Sequence, residues 1–197
     1  MAKTLEFFFD YASPYSYLAS KQVEAVAQRT GAELRWRPFL LGAVFKATGN
    51  HTPTQVPQKG VYIAKDLQDW VSYLGLPALV LPESFPINSL KANRLALVAA
   101  EQGKVAAFSH AAYRAAFAEG KELSDPKVLA ELARGVGMDG DKALALLENQ
   151  EIKDALRRNT DEALARGVFG APTFFVGDNM FFGNDRLMFV ERALQQA

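Results

Sequence analysis

The sequence predicts an α/β fold in which a long helical block interrupts a small sheet-forming core. Three observations support this prediction. A strand–helix–strand pattern opens the chain, roughly a hundred residues of helix-like sequence follow, and two short apolar strands and a helix close it. The chain has 197 residues, which suits one domain or one domain with an insertion.

The first element is predicted to be a buried strand, because residues 5–9 are apolar and mostly aromatic. One helix is then predicted to run as far as Gly31, which suits its C-terminal end. Ser13 suits the N-cap of this helix and Pro14 its first turn. Residues 32–38 alternate as a second strand, so the opening β-α-β unit predicts a parallel pair with a helical crossover.

The middle of the chain is predicted to be a loop followed by helices. Residues 42–60 contain a Gly-Asn pair and two prolines, which are typical of a loop. Helices are predicted at 61–74, 89–102, 105–119, from 126, at 141–147 and at 152–165. The chain ends with strands at 173–176 and 180–182, a turn between them, and a helix at 186–195.

This order of elements predicts a thioredoxin-like core with an all-helical insertion. The core would comprise residues 1–41 and 167–197, and the insertion residues 42–166. The inference is an analogy between the order of elements and a fold that separates its strands in this way.

The composition excludes several classes of function. Lys and Arg together number 22, as do Asp and Glu, so a nucleic-acid binder with a basic face is not expected. The chain has no cysteine, which excludes a disulfide scaffold, a zinc–thiolate site and thiol chemistry by its own side chains. His51 and His110 are its two histidines, too few for a multi-histidine metal site, and no metal is expected.

The N-terminal sequence leads into a strand without the pattern of a cleavable signal. No apolar run approaches the roughly 20 residues of a membrane-spanning helix. We therefore expect a cytoplasmic protein with no membrane partner.

The turn before the first helix is the first candidate site. Ser13-Pro14-Tyr15-Ser16 has the spacing of a redox Cys-x-x-Cys motif, with serine at both cysteine positions. A helix N-terminus favours a thiolate, to which a serine hydroxyl can donate but with which it cannot exchange disulfides. Ser13 therefore either stabilises a thiolate supplied by another molecule or serves only as an N-cap.

A serine nucleophile is a competing interpretation. It would need a histidine base, an oriented carboxylate and usually a recognisable elbow motif, and the sequence contains no Gly-x-Ser-x-Gly. His51 falls in the predicted loop and His110 within a predicted helix, so solvated or packed histidines explain them better.

Pro172 begins a predicted strand after a glycine-rich approach. In a thioredoxin fold a proline here is cis and lies beside the first-helix turn, and the backbone of Ala171 would then pair with an extended peptide. The alternative is a trans proline at the start of an edge strand.

Two further groups have both a structural and a functional interpretation. Asn184 and Asp185 either cap the last helix or receive the charged end of a zwitterionic peptide. Lys46 and Lys59 are either solvated or line a cleft between the core and the insertion.

Taken in order, several motifs resemble the bacterial 2-hydroxychromene-2-carboxylate isomerases. These proteins are similar to kappa-class glutathione transferases and, more distantly, to DsbA-type oxidoreductases. The motifs lie at residues 9–19, 36–38, 49–50, 66–67, 85–90, 167–173 and 183–187. They extend over nearly the whole chain.

The resemblance implies a homodimer that binds glutathione and a small aromatic keto-acid substrate. By family position, the glutathione-binding residues are Ser13, Asn50, Ala171, Pro172, Phe182, Gly183, Asn184 and Asp185, and the substrate-binding residues are Lys46 and Asn50. Ser13 would be the catalytic residue that holds the glutathione sulfur.

The activity implied by the resemblance is an isomerisation of the naphthalene-degradation type. It would interconvert 2-hydroxychromene-2-carboxylate and trans-o-hydroxybenzylidenepyruvate through reversible addition of a thiolate. Two alternatives remain open: a kappa-like glutathione transferase that acts on another electrophile, and a non-catalytic module that binds glutathione or a peptide.

Overall fold

The computed structural model describes residues 3–196 and contains four strands and ten α-helices in that part of the chain. Strands β1 to β4 are Thr4–Phe9, Glu33–Pro38, Thr173–Val176 and Asn179–Phe182. Helices α1 to α10 are Pro14–Ser20, Val23–Thr30, Leu41–Thr48, Pro57–Tyr73, Leu90–Glu101, Val105–Phe117, Pro126–Gly135, Gly140–Leu146, Gln150–Ala165 and Leu187–Gln196. Two 3-10 turns cover Pro53–Gln55 and Asn184–Arg186.

The four strands form one mixed sheet in the order β2-β1-β3-β4. Strand β1 is parallel to β2 and antiparallel to β3, and β3 forms an antiparallel hairpin with β4. The predicted parallel pair and the predicted C-terminal hairpin are both confirmed. Together with the long run of helices between β2 and β3, they confirm the thioredoxin-like, DsbA-like fold with a helical insertion.

Strand β1 lies inside the sheet and is buried on both faces. Phe7 belongs to the larger core cluster, where its ring centroid lies 5.1 Å from that of Trp36 and 5.2 Å from that of Phe174. Phe8 points to the opposite face and packs in a smaller cluster with Phe39 and Phe175. Because the residues of a strand alternate between faces, this aromatic run fills both layers of the core.

The single helix predicted from Pro14 to Gly31 is wrong, because the structure divides it into α1 and α2. The Ser20 hydroxyl donates to the Tyr17 carbonyl at 2.7 Å, and the Gln22 amide donates to the Leu18 carbonyl at 3.2 Å. These side chains compete for the carbonyls that a continuing helix would use. Helix α2 then ends, as expected, at Gly31, whose φ is 66°.

The loop predicted over residues 42–60 is also wrong, because it contains most of α3, a 3-10 turn and the first residues of α4. Helix α3 has no local cap, since Leu40 makes no capping hydrogen bond. Its Leu41 N–H instead donates to the Asp10 carboxylate at 2.7 Å, a contact from the end of β1. Gly49, with a φ of 70°, ends α3.

The remaining helices and strands lie within a few residues of their predicted bounds, apart from α4, which starts at Pro57 rather than Val61. The division into a core and an insertion at residues 42 and 166 stays a prediction.

Among residues 3–196, no helix combines the length and the apolar character needed to cross a membrane. In the same residues, no group of three or more acidic or histidine side chains could hold a metal ion.

A network of ion pairs lies against the smaller core cluster, on the face of the sheet opposite the larger cluster. Arg37 pairs with Glu6 at 2.6 Å and with Glu162, and Arg166 pairs with Glu6 at 2.7 Å and with Glu162 at 3.3 Å. The Arg166 guanidinium lies 3.6 Å from the centroid of the Phe175 ring. The two arginines therefore join β1, β2 and α9 through both charge and aromatic contacts.

This network predicts a pH-dependent contribution to stability. Burial alone would raise the pKa of Glu162, but the hydrogen bond from Arg37 and the charges of Arg37 and Arg166 outweigh it and lower the pKa. A lowered folded-state pKa stabilises the protein above the unfolded-state pKa of about 4.3, and the benefit is lost as the pH falls through the folded-state value. We expect Glu162→Gln to reduce the free energy of unfolding by about 1 kcal/mol at neutral pH and by progressively less in acid.

Urea unfolding of the parent and Glu162→Gln proteins, from neutral pH to about pH 3, measures this difference. Glu131→Gln, on the exposed side of α7, is the matched control outside the network. A difference between parent and Glu162→Gln that stays constant down to the lowest pH would contradict the prediction.

Candidate active site

Ser13 is the N-cap of α1 and connects this helix to the other end of the chain. Its hydroxyl oxygen accepts a hydrogen bond from the Ser16 N–H at 3.1 Å, which confirms the predicted cap. The same hydroxyl donates to the Ala171 carbonyl at 3.1 Å. Ser13 is 4% exposed, so its single proton lies at a nearly closed junction between α1 and the segment before β3.

The peptide bond between Ala171 and Pro172 is cis, as the fold predicts. The Pro172 carbonyl accepts a hydrogen bond from the Gly183 N–H at 3.0 Å, which brings the end of β4 to the same place. The structure therefore gathers four of the residues predicted for glutathione, Ser13, Ala171, Pro172 and Gly183, around one point.

The 3-10 turn after β4 contributes a buried amide. Asn184 is 4% exposed, and its side-chain nitrogen has no hydrogen-bond acceptor among residues 3–196. Gly183 has a φ of 105°, and a Cβ there would lie 2.4 Å from a carboxylate oxygen of Asp185. Asp185 is half-exposed and pairs with Arg186 at 3.2 Å. The turn thus holds one buried, unsatisfied donor next to one accessible carboxylate.

An aromatic pair covers the loop that leads to Pro172. The rings of Phe169 and Phe182 lie 4.6 Å apart, and a Cβ on Gly170 would approach the Phe182 ring to 2.6 Å. The Asn50 amide donates to the Phe169 carbonyl at 2.9 Å. Asn50 and Phe182, both predicted for ligand binding, therefore lie against the loop that carries Ala171.

Lys46 is exposed in the last turn of α3, and no hydrogen bond or ion pair joins it to the other predicted residues in the described chain. Its assignment to the substrate stays a prediction.

Lys59 instead lines an open recess of about 460 Å³ whose other lining residues are Pro53, Gln58, Tyr62 and Ile63. This mostly apolar recess lies between the 3-10 turn at 53–55 and the start of α4.

The link between Tyr15 and Asp66 was not predicted from the sequence. The Tyr15 hydroxyl, within the 13–16 turn, donates to the Asp66 carboxylate on α4 at 2.8 Å. Burial, the hydrogen bond to Asp66 and the nearby charges raise the pKa of Tyr15 well above its ordinary value, so Tyr15 stays a donor. Both residues belong to motifs that carry the family resemblance, but only the structure shows that they touch.

Asp10 is a second feature that the sequence prediction missed. Its carboxylate is 2% exposed and accepts hydrogen bonds from the Ala12 N–H at 3.0 Å, the Leu41 N–H at 2.7 Å and the Asn93 amide at 3.0 Å. Its carbonyl accepts from the Ser13 N–H at 3.0 Å. Asp10 therefore positions the turn against α3 and α5, because its donors come from the turn itself and from both helices.

The geometry does not support a serine nucleophile. Within residues 3–196, neither histidine is hydrogen-bonded to the Ser13 hydroxyl, whose partners are the Ala171 carbonyl and the Ser16 N–H. His110 bonds to Glu24 and lies edge-on to the Trp36 ring at 5.8 Å. The site therefore lacks a base for serine and offers, instead, a donor, a peptide-edge carbonyl and a buried amide.

Comparison with known proteins matches this arrangement to one family. The DSBA-like thioredoxin domain matches residues 4–195. The 2-hydroxychromene-2-carboxylate isomerase of Sphingobium xenophagum is 37% identical over 197 residues, which cover 98% of this chain and 99% of that protein. Human glutathione S-transferase kappa 1 is 28% identical over 201 residues, which cover 95% of this chain and 88% of its own.

The fold comparison agrees with the sequence comparison. A solved 2-hydroxychromene-2-carboxylate isomerase matches with a TM-score of 0.89 and 31% identity, over 98% of this chain and 95% of its own. The protein belongs to the DSBA-like thioredoxin-domain family, and within it to the group of 2-hydroxychromene-2-carboxylate isomerases.

Proposed function

We propose that the protein is a glutathione-dependent isomerase that interconverts 2-hydroxychromene-2-carboxylate and trans-o-hydroxybenzylidenepyruvate. The observation that carries this proposal is the position of the Ser13 hydroxyl. It occupies the cysteine position of a thioredoxin-type turn, and it contacts the carbonyl that precedes the cis proline. Full-length similarity to proteins named for this isomerisation supports the choice of reaction.

The residues of the site fit glutathione. The tripeptide has a thiol, two amides, two carboxylates and one ammonium group. Ser13 would hold the sulfur, and the Ala171 carbonyl would accept from a backbone N–H, as a sheet edge does for an extended peptide. The buried amide nitrogen of Asn184 offers a donor to a carboxylate, and the half-exposed Asp185 offers an acceptor to the ammonium group.

When bound, glutathione supplies a nucleophilic sulfur for reversible conjugate addition, which converts the conjugated double bond into a single bond that can rotate. The Ser13 hydroxyl would stabilise negative charge on that sulfur by donating a hydrogen bond to it. Asp10 fixes the backbone of the turn from which this hydroxyl projects. Ser13 can therefore donate without a large rearrangement of the turn.

The resemblance also supports a homodimer in the cytoplasm that acts in aromatic-hydrocarbon catabolism of the naphthalene type. The oligomeric state can be measured by sedimentation equilibrium at several protein concentrations. We expect a mass twice that of the 21.6 kDa chain. A mass equal to that of one chain at every concentration would contradict the dimer.

A kappa-like transferase is the second candidate, because kappa relatives match most of the chain at 28–30% identity. The fate of glutathione separates the candidates. The purified protein is incubated with glutathione and either 2-hydroxychromene-2-carboxylate or trans-o-hydroxybenzylidenepyruvate. The products are then separated by chromatography. An isomerase converts one isomer into the other and leaves the glutathione concentration unchanged. A transferase consumes glutathione as an adduct, and a binding module changes neither reactant.

Asn184→Ala is expected to weaken glutathione binding about 5- to 30-fold, because it removes the buried donor that a ligand would satisfy. Isothermal titration calorimetry with glutathione measures the effect. Asn179→Ala is the matched control, since Asn179 lies exposed in the same hairpin. Equal affinities of the Asn184→Ala and parent proteins would exclude this amide from the site.

A further inference from the structure

The first half of α4 is held to the candidate site by few contacts. Leu67 and Val71 anchor the second half of the helix in the core, whereas residues 57–65 are exposed except for the half-buried Gly60 and Ile63. Within residues 3–196, one side-chain hydrogen bond joins α4 to the 13–16 turn, and it runs from Tyr15 to Asp66. Asp66 lies at the boundary between the anchored and the exposed halves.

The recess that Lys59 lines is formed largely by this exposed half of α4. Four of its lining residues, Gln58, Lys59, Tyr62 and Ile63, lie on α4 before Asp66. The recess combines apolar walls with one lysine, which suits a planar aromatic ring that carries a carboxylate. Tyr62 and Ile63 lie four and three residues before Asp66 and so share its face of α4. The bond from Tyr15 to Asp66 therefore helps to fix where the recess lies relative to the 13–16 turn.

The Tyr15 hydroxyl is the donor in this link. The Tyr15 hydroxyl is half-buried between α4 and the turn after β4, where Tyr62 and Asp185 lie close enough to act on it electrostatically. Burial and these neighbours raise its pKa, so the hydroxyl keeps the proton that it donates to Asp66. The bond therefore runs from Tyr15 to Asp66.

We propose that Tyr15 and Asp66 are positioning residues that set the place of the recess relative to Ser13. The proposal rests on the proposed function and extends it by separating two tasks. The residues around Ala171 and Asn184 hold glutathione, and the bond from Tyr15 to Asp66 places the recess that holds the electrophilic substrate. Loss of this bond weakens the capture of the substrate and leaves glutathione binding unchanged.

The test compares Tyr15→Phe, which removes one hydroxyl, with the parent protein. We expect the KM for the chromene carboxylate to rise about five- to tenfold and the glutathione Kd to stay within about twofold. Amide hydrogen exchange of residues 57–65 should become faster, which reports on the link without requiring turnover. The double variant Tyr15→Phe with Asp66→Ala should show no larger KM than the stronger single variant, because both remove the same bond.

Two controls separate positioning from general damage. Asp66→Asn keeps a carbonyl oxygen that can accept from Tyr15, and it should keep the KM near that of the parent. Asp69→Asn removes the exposed pair with Lys65 on the same helix, and it should change neither KM nor exchange.

Three results would each overturn the proposal: an unchanged KM in Tyr15→Phe, a glutathione Kd that rises in parallel with KM, or unchanged exchange over residues 57–65. A parent protein that fails to turn over the chromene carboxylate would refute the proposed function instead. In that case the exchange measurement still decides whether Tyr15 holds α4.

Discussion

Ser13→Ala is expected to lower kcat/KM for the glutathione-dependent isomerisation about 100-fold, the effect typical of removing one preorganised donor at a developing charge. The variant loses the proton that Ser13 now donates to Ala171 and would donate to a thiolate. The pKa of bound glutathione should rise accordingly, because its charged form loses a hydrogen bond. Steady-state kinetics measure the first effect, and ultraviolet titration of the thiolate measures the second.

The same substitution also removes an N-cap, which costs stability by about 1 kcal/mol. Asp125→Ala is the matched control, because Asp125 caps α7 through the Lys127 N–H and also precedes a proline. It should lose a similar amount of stability and keep full activity. Full glutathione-dependent turnover by Ser13→Ala would exclude Ser13 from the chemistry.

Asp10→Ala is expected to lower the free energy of unfolding by about 3–5 kcal/mol, a large effect for one substitution. The half-buried N–H groups of Ala12 and Leu41 would lose their carboxylate acceptor, and the buried Asn93 amide would lose one of its three acceptors. The 13–16 turn and the start of α3 would both lose a fixed contact. Urea unfolding monitored by circular dichroism measures the change.

Asp10→Asn should recover only part of this loss, because an amide has one acceptor oxygen where a carboxylate has two. Asp69→Ala, which removes an exposed carboxylate, should change the free energy of unfolding by less than about 1 kcal/mol. A loss in Asp10→Ala as small as that in Asp69→Ala would show that the buried carboxylate does not organise the turn.

The elements that could be predicted are those whose signals are local. The aromatic run of β1, the Ser13 cap and the glycine at the end of α2 each act within a few residues, and each was predicted. The order of these elements was enough to predict the fold. The 13–16 turn indicates the candidate site because it has the spacing of a redox Cys-x-x-Cys motif, with serine at both cysteine positions.

The features that could not be predicted depend on contacts between distant parts of the chain. Helix α3 was missed because its cap is Asp10, which lies 31 residues before Leu41 in sequence. The link from Tyr15 to Asp66 spans 51 residues, and the bond from Asn50 to Phe169 spans 119. Neither the spacing nor the periodicity of residues predicts such distant pairs. The sequence therefore indicates candidate residues without showing which of them are in contact.

The bond from Ser13 to the Ala171 carbonyl has a consequence for selectivity among ligands. A hydroxyl group has one proton and can donate it to one acceptor at a time. A ligand that offers a sulfur atom would take over this hydrogen bond and leave both lone pairs of the carbonyl to its own backbone N–H. A tripeptide of the same shape without sulfur would leave the Ser13 hydroxyl bonded to the Ala171 carbonyl, so its backbone N–H would share that oxygen with the hydroxyl. The single hydroxyl proton of Ser13 would thus couple recognition of the ligand's sulfur to recognition of its peptide backbone.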